Sequence, residues 1–106
     1  EIGRMKEEFK KRRDYMLSRM MEIPGIRCEK PQGAFYLFPN VKSYLEKSDE
    51  IKTSDDLAMN LLKNAHIATV SGASFGAPMN IRFSYATSMK NIEEGMNRFS
   101  RALAKL

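Results

Sequence analysis

Residues 34–38 read AFYLF, five consecutive apolar residues set between a Pro-Gln-Gly turn and Pro39-Asn40. A run this short and sharply bounded fits a strand covered on both faces. Phe35 and Leu37 then point to one side, and Ala34, Tyr36 and Phe38 to the other. Helical stripes lie before and after it. Over residues 2–22, Ile2, Met5, Phe9, Met16 and Met20 recur at spacings of three, four or seven, until Pro24-Gly25 stops the helix. Thr53-Ser54-Asp55-Asp56 reads as a second start, because a hydroxyl caps orphan amides and the acidic pair suits the positive end of the dipole. Leu57, Ala58, Leu61, Leu62 and Ala65 continue that stripe. Ser88 caps a last helix in which Ile92, Met96, Phe99 and Leu103 alternate four-three-four. A short helix is expected over 41–46, and short strands at 26–30, 67–70 and 80–86. The predicted fold class is α+β, a two-layer domain with helices packed on a small, mostly antiparallel sheet.

A length of 106 residues is that of one domain, read as 1–106. No apolar run approaches the roughly 18 residues of a membrane span, and no secretory signal is visible. A single cysteine, Cys28, closes no internal disulfide and matches no metal-ligand spacing, so a reducing, cytoplasmic location is expected. The net charge of +5 comes largely from RMKEEFKKRRD and from the final helix, and is read as solvated helix faces. RNA-recognition sheets interleave aromatics with Lys, Arg and Gly on one face, and AFYLF has no such interleaving. No nucleic-acid or membrane partner is expected.

The segment NIRFSYATS, residues 80–88, places a guanidinium inside an apolar strand. Alternation puts Ile81, Phe83 and Tyr85 on one face and Arg82, Ser84 and Ala86 on the other. Desolvating a guanidinium is unfavourable. Arg82 therefore either faces water or sits in a partly buried site that receives an anion.

Taken together and in this order, RRDYMLSRMMEIPGIRCEKPQG, PQGAFYLFPNV, SGASFG, IRFSYATS and NIEEGMNRF resemble the C-terminal small domain of class I (fold-type I) aminotransferases. The likeness is to the aspartate aminotransferase-like branch and covers nearly the whole chain. It implies an intact enzyme that uses pyridoxal phosphate to move an amino group from an amino acid to a 2-oxo acid. By the same likeness Arg82 holds the substrate α-carboxylate. A planar guanidinium donates two parallel hydrogen bonds to a carboxylate and so fixes its orientation. Gly33 and Phe35 would line the substrate pocket, although Gly33 reads more strongly as a turn residue and Phe35 equally as a core residue. His66 is read as a helix-terminal residue without a catalytic role.

The resemblance also defines what this chain should lack. The family keeps its Schiff-base lysine, the acidic partner of the pyridine nitrogen and its phosphate-binding groups on a large domain, and no lysine here matches that motif. Cofactor and metal sites are therefore expected to be absent. The opening inside a helical pattern without an N-cap reads as the end of an interdomain helix at 1–22, and the chain as an inactive fragment. Homodimerisation is expected of the intact enzyme. Ser71 stands where the family's loop begins with proline, and the stretch from Gly76 to Arg82 is poorer in glycine, so the path of 71–79 does not carry over. The competing reading is a small, non-catalytic amino-acid-binding regulatory α+β domain. Arg82 suits it equally, but it does not account for the joint match of several segments. Substrate choice among amino acids stays open.

Overall fold

The computed structural model describes residues 2–29, 36–85 and 87–106. Among them, helix α1 spans Ile2–Met21, β1 Tyr36–Leu37, α2 Lys42–Lys47, α3 Ser54–Asn64, β2 Val70–Ser71, β3 Ile81–Ser84 and α4 Met89–Ala104. The strands form an antiparallel sheet in the order β1-β3-β2. Helices on a small antiparallel sheet are the α+β architecture expected.

Burial follows the stripes. In α4, Ile92, Met96, Phe99 and Leu103 are all buried, and Ser88 caps the helix by accepting from the Asn91 amide at 3.2 Å. In α3, Leu57 and Leu61 are buried, while the Thr53 hydroxyl accepts from Asp56 N at 3.0 Å. Leu62, predicted within the same stripe, is exposed. In α1 only the C-terminal part enters the core, through Met16 and Met20; Phe9 is half-buried and Met5 is 60% exposed. The core face of the sheet carries Leu37, Ile81, Phe83 and Tyr85, with Phe83 against Phe99 at 4.6 Å between ring centroids.

Three expectations need correction. The strand at 26–30 reduces, over its described residues, to one bridge between Arg27 and Asn40. Pro39 precedes Asn40 and has no N–H to continue a ladder. The strand placed at 67–70 begins only at Val70. Ile67 is occupied in ending α3: its amide donates to the Leu61 carbonyl at 3.0 Å, after His66 has turned through a left-handed φ of 57°. Finally, the described part of AFYLF, residues 36–38, is not covered on both faces. Leu37 is fully buried, but Tyr36 is 36% exposed and Phe38 half-buried, because the helices cover the other face of the sheet.

Candidate functional site

The uncovered face of the sheet holds Arg82. β3 is the central strand, so Arg82 pairs with Val70 on one side, and Ser84 with Tyr36 on the other. Ile81 and Phe83 are buried on the opposite face, while Arg82 is half-buried and Ser84 exposed, as alternation requires. Ala86 lies outside the described residues.

A loop supplies the second wall. Ser71 accepts from the Ala73 amide at 3.2 Å and starts a 3-10 turn over Gly72–Phe75, which Gly76 ends in the left-handed region at φ 77°. The Ser71 and Ser54 hydroxyls share a hydrogen bond of 2.8 Å, tying the turn to the first residue of α3. Gly72 N donates to Asn80 O at 2.7 Å and Ala77 N to Gly72 O at 2.9 Å, which folds the loop back on itself. The Asn80 side-chain amide donates to the Phe38 carbonyl at 2.9 Å, joining the loop to the chain beyond β1. Phe75 is thereby brought to Arg82.

The Arg82 guanidinium carbon lies 4.9 Å from the Tyr36 ring centroid and 5.2 Å from that of Phe75. Among the described residues, no carboxylate pairs with Arg82 and no group accepts a hydrogen bond from its guanidinium. By contrast, Arg12, Arg13, Arg19 and Arg98 each lie within 3.0–3.9 Å of a carboxylate. The two rings engage the face of the half-buried guanidinium and leave its hydrogen-bonding edges available to an acceptor.

The other predicted pocket residues, Gly33 and Phe35, lie outside the described residues. Tyr36 and Phe75 escaped sequence reading. The sequence places Tyr36 only in a covered strand, and Phe75 reaches Arg82 through a turn whose path no periodicity reveals. No group of three or more His, Cys, Asp or Glu suited to a metal occurs among the described residues. His66, exposed just past α3, borders a separate open groove of about 930 Å³ between the ends of α2, α3 and α4. Lys47, Asp49, Asn64, Arg101 and Lys105 also line it, a mixture of both charge signs. No described helix is long and apolar enough to cross a membrane.

Residues 1–99 match the family model described as aminotransferase class I and II. The chain is 43% identical over 104 residues to an aspartate aminotransferase of Bacillus subtilis (strain 168), covering 98% of this chain and 26% of that protein. Among solved structures it resembles the aspartate aminotransferase from Rhizobium meliloti, with a TM-score of 0.87, 36% identity, and 94% of this chain and 26% of that one covered. It also resembles the aromatic aminotransferase from Pyrococcus horikoshii OT3, with a TM-score of 0.86, 34% identity, and 98% and 26% covered. The chain spans about a quarter of the length of the curated relatives it matches.

Proposed function

The chain belongs to the class I and II aminotransferases, and from that premise we propose that it is the C-terminal small domain of a pyridoxal-phosphate-dependent aminotransferase in which Arg82 binds the substrate α-carboxylate. The observation that carries the reading is the state of Arg82: half-buried on the open face, beside two rings, with no carboxylate partner among the described residues. A structural arginine in such a place would normally be paired, because an uncompensated buried charge destabilises the fold.

The role of this chain is binding and orientation. A carboxylate meeting the guanidinium edge-on accepts two parallel N–H bonds, which fix its plane as well as its position. In the intact enzyme pyridoxal phosphate supplies the electron sink, and that chemistry belongs to the cofactor. A substrate held at its carboxylate has lost the rotational freedom that would otherwise oppose reaction, and Arg82 contributes in that way. The domain boundaries follow the same reading: residues 1–22 are the end of an interdomain helix, and the lysine and phosphate-binding groups belong to a large domain of the same protein. Gly33 and Phe35 border the substrate, amino acids and 2-oxo acids are the reactants, and the intact enzyme is a cytoplasmic homodimer. The 106-residue chain alone is expected to be inactive.

Arg82→Lys in the full-length enzyme tests the assignment. Lysine keeps the charge but not the two-pronged geometry, so kcat/KM for the amino acid should fall by about 3 kcal/mol, roughly 150-fold. An unchanged value would remove Arg82 from the site.

A further inference from the structure

Cation and rings at Arg82 form an arrangement that the carboxylate reading alone does not require. A cation over a ring is held by the negative face of the π system, and none of its N–H groups is used in the process. The contacts at 4.9 Å to Tyr36 and 5.2 Å to Phe75 thus restrain the guanidinium while leaving its donors for a ligand. An acidic partner would restrain it too, but would occupy the same edges and cancel the charge.

Both rings are themselves braced. Phe38 meets Tyr36 edge-on, with centroids 6.5 Å apart and an interplanar angle of 81°, and meets Phe75 at 6.3 Å and 87°. Those are favoured aromatic geometries. Phe38 in turn reaches Gly72, where a Cβ would stand only 2.9 Å from its Cζ atom. Yet Tyr36 is 36% exposed and Phe75 54% exposed, so core burial does not account for two ordered rings at this place.

We infer that Tyr36 and Phe75 are positioning residues: they orient the Arg82 guanidinium for two-pronged carboxylate binding and crowd water away from it. The inference rests on the carboxylate reading of Arg82. Its test therefore separates the two.

In the full-length enzyme, kcat/KM is measured for whichever of L-aspartate, L-alanine and L-phenylalanine is turned over best, and for the α-amide of the same amino acid. The ratio of acid to amide reads carboxylate recognition. Tyr36→Leu and Phe75→Leu should each lower that ratio about 2- to 30-fold, the range of an exposed to a desolvated cation–ring contact. Tyr36→Phe and Phe75→Tyr, which keep a ring, should retain it. Equal losses for acid and amide would make the rings merely structural and overturn the inference. If Arg82→Lys collapses the ratio while both leucine variants leave it intact, the inference fails and the carboxylate reading stands. If Arg82→Lys leaves the ratio unchanged, both fail. Neither position is in the core, so the leucine variants should fold, and a thermal melt of each confirms that the ratio is read on native enzyme.

Discussion

Arg19 and Arg82 both lie over aromatic rings, but they use their hydrogen-bonding edges differently. Arg19, on α1, sits 5.8 Å from the Tyr15 centroid. Two of its donors are engaged, one by the Tyr15 hydroxyl and another by Asn97 on α4, each at 2.7 Å, and Glu22 lies 3.6 Å away. That arginine is a clasp between two helices. Arg82 has two rings and, among the described residues, no acceptor. A ring contact alone therefore does not separate the two arginines; the use each makes of its hydrogen-bonding edge does.

The largest expected effect comes from removing what holds the Arg82 side together while leaving the Arg19 clasp alone. At Gly72 a Cβ would stand 2.3 Å from Ala77 O, 2.6 Å from Asn80 O and 2.9 Å from Phe38 Cζ. Two of those neighbours are backbone carbonyls in the hydrogen bonds that fold the loop, so they cannot swing aside. Gly72→Ala should destabilise the chain by about 1–3 kcal/mol, as overpacking does. Urea unfolding would measure it. In the full-length enzyme the acid-to-amide ratio should fall as well, since Phe75 and Phe38 both shift. A variant of native stability would show that the loop relaxes without strain, and the Arg82 side would then be less tightly built than the contacts imply.

Strict alternation along 80–86 made the open face of β3 legible, because a period of two leaves no choice once Ile81 and Phe83 are buried. The stripes of α3 and α4 were legible for the same kind of reason. What surrounds Arg82 was not. Tyr36 looked like a covered strand residue because AFYLF is apolar throughout, and apolarity alone does not say which face the helices leave bare. Phe75 depends on the Ser71 hydroxyl, on Gly76 at φ 77° and on a closely approached Gly72, and none of these leaves a periodic trace. Ser71 acquires a physical reason only in three dimensions: its hydroxyl both caps the turn and joins Ser54. Likewise His66 matched a helix terminus, but its left-handed backbone follows from Ile67 returning to Leu61.

A smaller effect sharpens the contrast from the other side. Replacing Arg19 with leucine removes two hydrogen bonds from a charged donor at a partly exposed seam, which should cost about 1–2 kcal/mol of stability. The same replacement at Arg82 breaks no hydrogen bond among the described residues, gives up two ring contacts, and should cost less, about 0.5–1 kcal/mol. Catalysis should show the reverse order, with Arg19→Leu leaving kcat/KM unaltered. Equal stability losses at the two positions would mean that Arg82 is a structural clasp after all.

The smallest effect concerns pH, and it separates the buried face of β3 from the open one. Tyr85, at the end of β3, is buried, and burial pushes its phenol above the ordinary 10.0 while the Arg13 charge pulls it partly back. Cys28 is half-buried, and its thiol is pushed above 9.0 by burial, opposed by the Phe38 backbone and aided by Glu29. Both groups have folded values above their unfolded ones, so the folded state binds more protons between the two. Stability is then complete below about pH 9 and falls as pH rises, first through the cysteine range and then through the tyrosine range. Cys28→Ala should flatten the earlier part of the decline and Tyr85→Phe the later part, as followed by urea midpoints across alkaline pH. A midpoint independent of pH above 10 would show that the Tyr85 phenol ionises as freely in the fold as in the open chain, and the buried face of β3 would be less dry than its packing requires.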